Sequence, residues 1–220
     1  IIVDDGSIDG TCEIVSRLEG RHECIQFIRS SHLGPGAARN IAIQSAKNPW
    51  LCFIDSDDIW YEGKLDAVAQ VIAEYSSVNF ICHSEYHVHG HERCLVNYSL
   101  AYNKQINVSE QLYMRNLFST SAVSCRRDLV LKSGMFDETL MNAQDYELWL
   151  RMSPLMRLRF IPEPHGEYRL TEGNITSTPV RQKLSNTVKI AIKYSSYAPW
   201  YLVTLRFSKL LFQYLKSFLK

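Results

Sequence analysis

Two runs of aspartate have a spacing that could do chemistry: Asp4-Asp5 and Asp55-Ser56-Asp57-Asp58. Each directly follows a short apolar, strand-like run, Ile1-Ile2-Val3 in one case and Leu51-Cys52-Phe53-Ile54 in the other. Carboxylates at this density repel one another unless a cation or hydrogen-bond donors take up the charge. Magnesium and manganese take oxygen ligands, use one or two protein carboxylates, and complete their shells with phosphate oxygens and water. The chemistry expected is therefore a divalent metal, Mn2+ or Mg2+, holding a diphosphate group. A lone Asp-Gly-Ser would read as a turn or a helix cap. Two clusters, each behind a buried strand, favour the cation.

The clusters can cooperate only if the elements carrying them converge. If both strands are parallel neighbours, both clusters lie at one edge of a sheet, where open α/β sheets bind ligand. The spacing predicts a helix from Asp9-Gly10-Thr11 with Ile14, Val15 and Leu18 on one face, and a strand over 25–29. A small-residue helix should follow Gly34-Pro35-Gly36 and end before Pro49, and another should span 64–75 on Leu65, Val68, Ala69 and Ile72. Three strand-plus-helix units in the first 75 residues point to an α/β fold with a mostly parallel central sheet flanked by helices. Further on, 80–96 reads as a hairpin turning at Gly90, 109–117 as a helix and 122–126 as a strand. A short helix over 127–132 should close at Gly134, a helix should span 142–152, and 158–169 should hold strands interrupted by Pro162 and Pro164.

Val3-Asp4-Asp5-Gly6-Ser7-Ile8-Asp9-Gly10-Thr11, Gly34-x-x-x-Ala38-Arg39-Asn40 and Phe53-Ile54-Asp55-Ser56-Asp57-Asp58 occur in that order. The series resembles the successive motifs of family 2 glycosyltransferases of the GT-A fold, from Ile1 to about Ser177. The resemblance implies that Asp5 contacts the base of a nucleotide-sugar donor, with Asp4 in support, and that Arg39 reaches the nucleotide. Asp55-Ser56-Asp57 is similar to the family's DxD motif, which puts Asp55 at the ribose and metal shell and Asp57 directly on the metal. Inverting transfer also needs a base for the acceptor hydroxyl's proton. Gln144-Asp145-Tyr146-Glu147-Leu148-Trp149 resembles the helix that begins with the family's catalytic acidic residue; the usual Glu-Asp is Gln-Asp here, and Asp145 is the residue implied as base. Gly134-x-Phe136-Asp137-Glu138 resembles the lead-in loop. Tyr168-Arg169 through Asn174-Ile175-Thr176-Ser177 resembles the loop that closes over the diphosphate, where Arg169 would neutralise phosphate charge. The His that relatives often carry in that loop is absent.

Composition bounds the remaining classes. The chain has 220 residues, 46% hydrophobic and 21% charged, enough for a sizeable core. A net charge of +1 gives no footprint for wrapping nucleic acid. The six cysteines form no C-x-x-C pair and fit reduced thiols in a cytosolic setting. Asn97, Asn107 and Asn174 start N-x-S/T triplets of the kind that arise by chance. His83, His87, His89 and His91 lack a partner at a recognised zinc spacing and fit a solvated hairpin; His165 reads as structural. Ile1-Ile2-Val3 has no basic leader and reads as a strand entered partway, so a first strand and helix are expected upstream.

From Lys183 onward the pattern changes. On a helical wheel Arg206, Lys209, Gln213, Lys216 and Lys220 fall on one side, with Phe207, Leu210, Leu211, Tyr214, Leu215 and Phe218 on the other. No apolar run is long enough to span a bilayer. Two readings stand: a helix packed on protein, or an in-plane membrane helix suited to a lipid-linked acceptor.

The expectation is a GT-A catalytic domain over 1–180 with a helical extension over 181–220. It should move a sugar from a UDP- or GDP-type donor to a saccharide or lipid-linked acceptor, in the cytoplasm or peripherally at the inner face of a membrane. A nucleotidyltransferase of related architecture and a non-catalytic nucleotide-sugar-binding module are the alternatives.

Overall fold

The structure is a computed structural model describing residues 1–170 and 180–217, with side chains from 184 onward in the second stretch. Asn174-Ile175-Thr176-Ser177 of the expected closing loop, and Phe218 and Lys220 of the tail, lie outside the described residues.

The β-branched opening run forms β1 (Ile2–Asp4), paired in parallel with β2 (Phe27–Arg29), and α1 (Thr11–Glu19) makes the crossover. The second helix, α2 (Pro35–Ser45), starts at Gly34, whose φ of +91° is open to glycine, and Pro35 supplies the fixed φ of the first turn. There follow β3 (Trp50–Cys52), β4 (Ile59–Trp60), α3 (Lys64–Glu74), β5 (Phe80–His89) and β6 (Glu92–Val96). The short helices α4 (Tyr98–Ala101) and α5 (Val108–Met114) are capped by the side chains of Asn97 and Asn107. A 3-10 turn at Thr120–Ala122 then leads into β7 (Val123–Arg126), followed by α6 (Arg127–Lys132) and α7 (Gln144–Met152). The chain continues with β8 (Leu158–Arg169), α8 (Val180–Lys193) and α9 (Trp200–Lys216).

The α/β class stands, but the pairing is mixed where mostly parallel was expected. The larger sheet runs β3-β7-β5-β8-β4, with β6 also on β5. Only β5–β8 is parallel within it; β3–β7, β5–β7, β5–β6 and β4–β8 are antiparallel. The strand-plus-helix units that suggested parallel pairing are confined to the first 75 residues, whereas most of this sheet comes from later strands. One of these, β6, is returned by a tight turn at Gly90, φ +58°.

Two boundaries differ for physical reasons. The stretch 158–169 is one strand, because the register jumps from His83↔Ile161 to Ser84↔Pro164 and leaves Pro162 and Glu163 in a bulge that asks nothing of a proline N–H. And β1 is not hydrogen-bonded to β3 in any described ladder. A cavity of about 410 Å3, lined by Ile1, Gln26, Ala42, Trp50 and Leu51, lies between them. The main core sits around β5, whose Phe80 packs edge-on against Trp149 of α7, with Phe53, Phe118 and Phe136 around them.

Candidate active site

The helix α2 does what a shared sheet edge was expected to do. Its N-terminal turn is capped from a distance: Asp5 accepts the backbone N–H of Leu33 at 2.9 Å and of Gly34 at 2.7 Å. One turn further on, Arg39 donates to Asp55 at 2.5 Å while its guanidinium lies 5.4 Å from the Phe136 ring centroid. Both aspartate clusters are thus tied to one helix. Asp4 is a turn-former: buried, it accepts the Ser7 N–H and the Cys12 thiol, and the Ser7 side chain above all, with these bonds, holds its carboxyl below the usual range.

The turn carrying Asp55-Ser56-Asp57-Asp58 is fixed by Ser121. The Asp55 N–H donates to Ser121 Oγ at 2.9 Å, and that hydroxyl donates to Asp58 at 2.6 Å. Asp58 also accepts the Arg169 N–H at 3.0 Å, so the buried carboxylate locks the turn to the end of β8. Burial pushes the Asp58 pKa up to about 6, with the charges of Asp55 and Asp57 adding to the rise. Trp60 Nε1 donates to the Ser121 carbonyl at 2.8 Å, and the buried Lys64 ammonium lies 3.2 Å from the Trp60 ring centroid.

Asp145 stands at the second position of α7. Ala143, just before the helix, has φ +58°, a left-handed conformation that costs a non-glycine residue and that here turns the chain into the helix. The Asp145 carboxylate is approached by Asn116 Nδ2 at 3.3 Å and Thr120 Oγ1 at 3.5 Å. Burial raises its pKa, Arg39 opposes that rise, and the Asp55 charge adds to it. A carboxyl moved upward is better suited to carrying a proton near neutrality than an exposed one. Thr120 and Ser121 are adjacent, so one short turn spaces the Asp145 side of the site from the Asp55 side.

Arg39, Asp55 and Asp145 line one cavity of about 810 Å3, together with His87, Tyr168 and Arg206. Asp4, Asp5, Asp57 and Arg169 are not among its lining residues. The Arg169 guanidinium is within 3.2 Å of Glu167. Among the described residues no group of three or more His, Cys, Asp or Glu side chains is placed to hold a metal. Two carboxylates on one turn, Asp55 and Asp57, are a donor set that fits Mn2+ or Mg2+ when a diphosphate supplies further oxygens.

The histidines separate by depth. His83 is buried, its pKa lowered to about 4 by burial, and its ring meets that of His165 edge-on. His87 reaches the cavity, 3.1 Å from the buried Glu85 and tilted against Tyr168. Sequence reasoning left Asp58, Asn116, Thr120, Ser121, His87 and Tyr168 without a role at the site. Two had a signal: Asp58 as the last member of its cluster, and Tyr168 at the head of the segment that resembles the closing loop.

Residues 1–131 match the sequence profile described as Glycosyl transferase family 2. An uncharacterised glycosyltransferase of Rickettsia conorii is 24% identical over 185 residues, covering 80% of this chain and 28% of the relative. One from Rickettsia prowazekii is 24% identical over 186 residues, covering 83% of this chain and 58% of the relative. The chain thus spans between 28% and 58% of the length of these two relatives. Among solved structures, S. aureus TarS 1–349 in complex with UDP-GlcNAc superposes with a TM-score of 0.67 at 20% identity, over 86% of this chain and 55% of that one. The mannosyltransferase PcManGT from Pyrobaculum calidifontis, in complex with GDP-Man and Mn2+, gives a TM-score of 0.61 at 18% identity, over 98% and 59%. At these identities the structural likeness speaks for the fold, which is GT-A.

Proposed function

The chain belongs to glycosyl transferase family 2, and from that premise we propose that it moves a sugar from a nucleotide-diphosphate donor to an acceptor hydroxyl, inverting the anomeric carbon. The observation that carries this reading is that the Arg39–Asp55 pair and Asp145 line one cavity of about 810 Å3.

In this reading the acceptor oxygen attacks the anomeric carbon, its proton passes to the Asp145 carboxylate, and the bond from that carbon to the diphosphate oxygen breaks. The nucleoside diphosphate leaves with the bonding pair. Asn116 and Thr120 orient Asp145, and its burial raises the carboxyl's pKa, which makes it a stronger base than an exposed aspartate. Asp57, with Asp55, would hold Mn2+ or Mg2+, which offsets charge on the departing diphosphate. Arg39 and Arg169 supply the nearby positive charge, and Asp5, at the entrance of α2, takes the base of the donor with Asp4 shaping its turn. The two solved relatives bind UDP-GlcNAc and GDP-Man with Mn2+, and both donor types belong to the reading. A saccharide or lipid-linked acceptor and a cytoplasmic setting complete it; the free thiols agree with the latter.

A donor screen that reads release of nucleoside diphosphate, with and without manganese, tests the proposal. Release of pyrophosphate instead would mark a nucleotidyltransferase. In the same assay Asp57→Asn should abolish the manganese-dependent part while its circular dichroism stays unchanged; turnover that kept its manganese dependence would remove the metal assignment.

A further inference from the structure

We propose that α9 docks in the plane of an anionic membrane surface through the face it turns away from the protein. The helix is apolar on two sides. Its inner side packs on α8, with Leu210 buried against Leu184 and Ala191 and Phe207 beside them. Arg206, on the polar side of the helical wheel, is buried as well. It donates to the Tyr113 carbonyl, and its guanidinium lies 5.2 Å from the Tyr113 ring centroid and 5.6 Å from that of Tyr146.

Among the described residues the outer side has no such cover. Trp200 is 79% exposed and Phe212 68%, and Tyr201, Leu205, Leu211 and Leu215 are exposed with them. At 100° per residue these six fall within less than half a turn, with only Thr204 and Ser208 between them. A continuous apolar face of this kind marks a contact surface.

Charge selects the occupant. The last 48 residues carry eight Lys and Arg and no Asp or Glu, so they hold +8, while the first 172 hold −7 and the whole chain +1. Within α9 the exposed cations, Lys209 and Lys216, stand together along one edge of the apolar face. Aromatic residues with polar tips at the start of the helix, aliphatic residues along it and lysines at the edge match a helix lying at a lipid–water boundary, with ammonium groups on anionic headgroups. No helix among the described residues is long and apolar enough to cross a membrane.

Docking has a consequence for the acceptor, and this part rests on the proposed transfer reaction. Arg206, Lys209 and Gln213 of α9 line the same cavity as Asp55 and Asp145. Lys209 therefore belongs both to the lysine edge and to the cavity lining. The cavity-lining side of α9 faces away from the docking face, so a docked α9 sets the cavity about one helix diameter from the lipid surface, within reach of an acceptor whose sugar is carried on a phosphate-bearing lipid.

Flotation of the whole chain with vesicles tests the docking without any donor. The chain should float with phosphatidylcholine vesicles containing phosphatidylglycerol, much less with phosphatidylcholine alone, and less again in high salt. The double variant Phe212→Glu/Leu215→Glu should cut the bound fraction roughly tenfold or more, and Lys209→Glu/Lys216→Glu should cut it on anionic vesicles only. Both pairs are exposed, so unchanged circular dichroism will show that the fold is kept. A wild-type chain that stays in solution, or a Phe212→Glu/Leu215→Glu variant that floats equally well, overturns the proposal. So does a dimer in sedimentation equilibrium that the same variant dissolves, since the face then belongs to a second copy. Vesicle binding without nucleoside diphosphate release would sink the transferase reading and leave the docking intact; release without vesicle binding would do the reverse.

Discussion

Asp145 and Asp55 are both carboxylates near Arg39, and their surroundings divide their tasks. Asp55 is in direct contact with the guanidinium, whereas Asp145 is pushed upward by burial against Arg39's opposing pull. If Asp145 is the base, Asp145→Asn should leave donor affinity in calorimetry within about twofold and lower the rate of transfer by roughly 100- to 10,000-fold. The acid limb of the wild-type rate profile should lie above the range of an ordinary exposed carboxylate. An equal loss in donor affinity would assign Asp145 to binding instead. Lys64 offers a test of the packing beneath the site. Burial lowers its pKa from 10.5 to about 7. Between those values the unfolded chain binds more protons than the folded one, so stability rises with pH across that window. The wild-type urea midpoint should therefore climb relative to that of Lys64→Met from about pH 7 to about pH 10. Parallel profiles would mean that Lys64 is solvated.

Among the elements, the join between α7 and α8 is the one most exposed to a single change. Glu147 is buried and accepts from Arg151 at 2.6 Å, Lys193 at 2.9 Å and the Tyr194 hydroxyl, which ties α8 to the helix that carries Asp145. Glu147→Gln leaves both cations facing an amide and should destabilise the fold by ~3 kcal/mol, read as a lower urea midpoint; an unchanged midpoint would show that the join is solvated. Much of this scaffold was legible beforehand. The limits of α2, α3 and α6, the hairpin at Gly90 and the strand before Asp55 follow from proline, glycine and apolar spacing, which act locally. What escaped depends on partners distant in sequence. Two residues suffice for β4 because β8 receives them, and β8 tolerates two prolines because β5 shifts register beside it. The inward turn of Arg206 follows from the Tyr113 carbonyl and two tyrosine rings, and a helical wheel cannot foresee these. At the site Asp4, Asp5, Asp55 and Asp57 could be read from their clustering and Asp145 only through the family resemblance, while Asn116, Thr120 and Ser121 matter only through hydrogen bonds that the fold creates.

For the whole molecule, the division of charge and the division of labour coincide. An acidic first part carries the aspartates proposed to hold a cation and a diphosphate; a basic last part lines one side of the same cavity and turns an apolar face outward. The central claim is that the aspartate turn at 55–58 grips a cation-bound diphosphate opposite Asp145. Titration calorimetry of the whole chain with UDP and with GDP, each in the presence and absence of Mn2+, tests it most directly. The account predicts that at least one nucleotide binds only with the metal, and that Asp57→Asn loses this binding while Asp145→Asn keeps it. Metal-independent binding of equal strength in all three proteins, or none with either nucleotide, would contradict it.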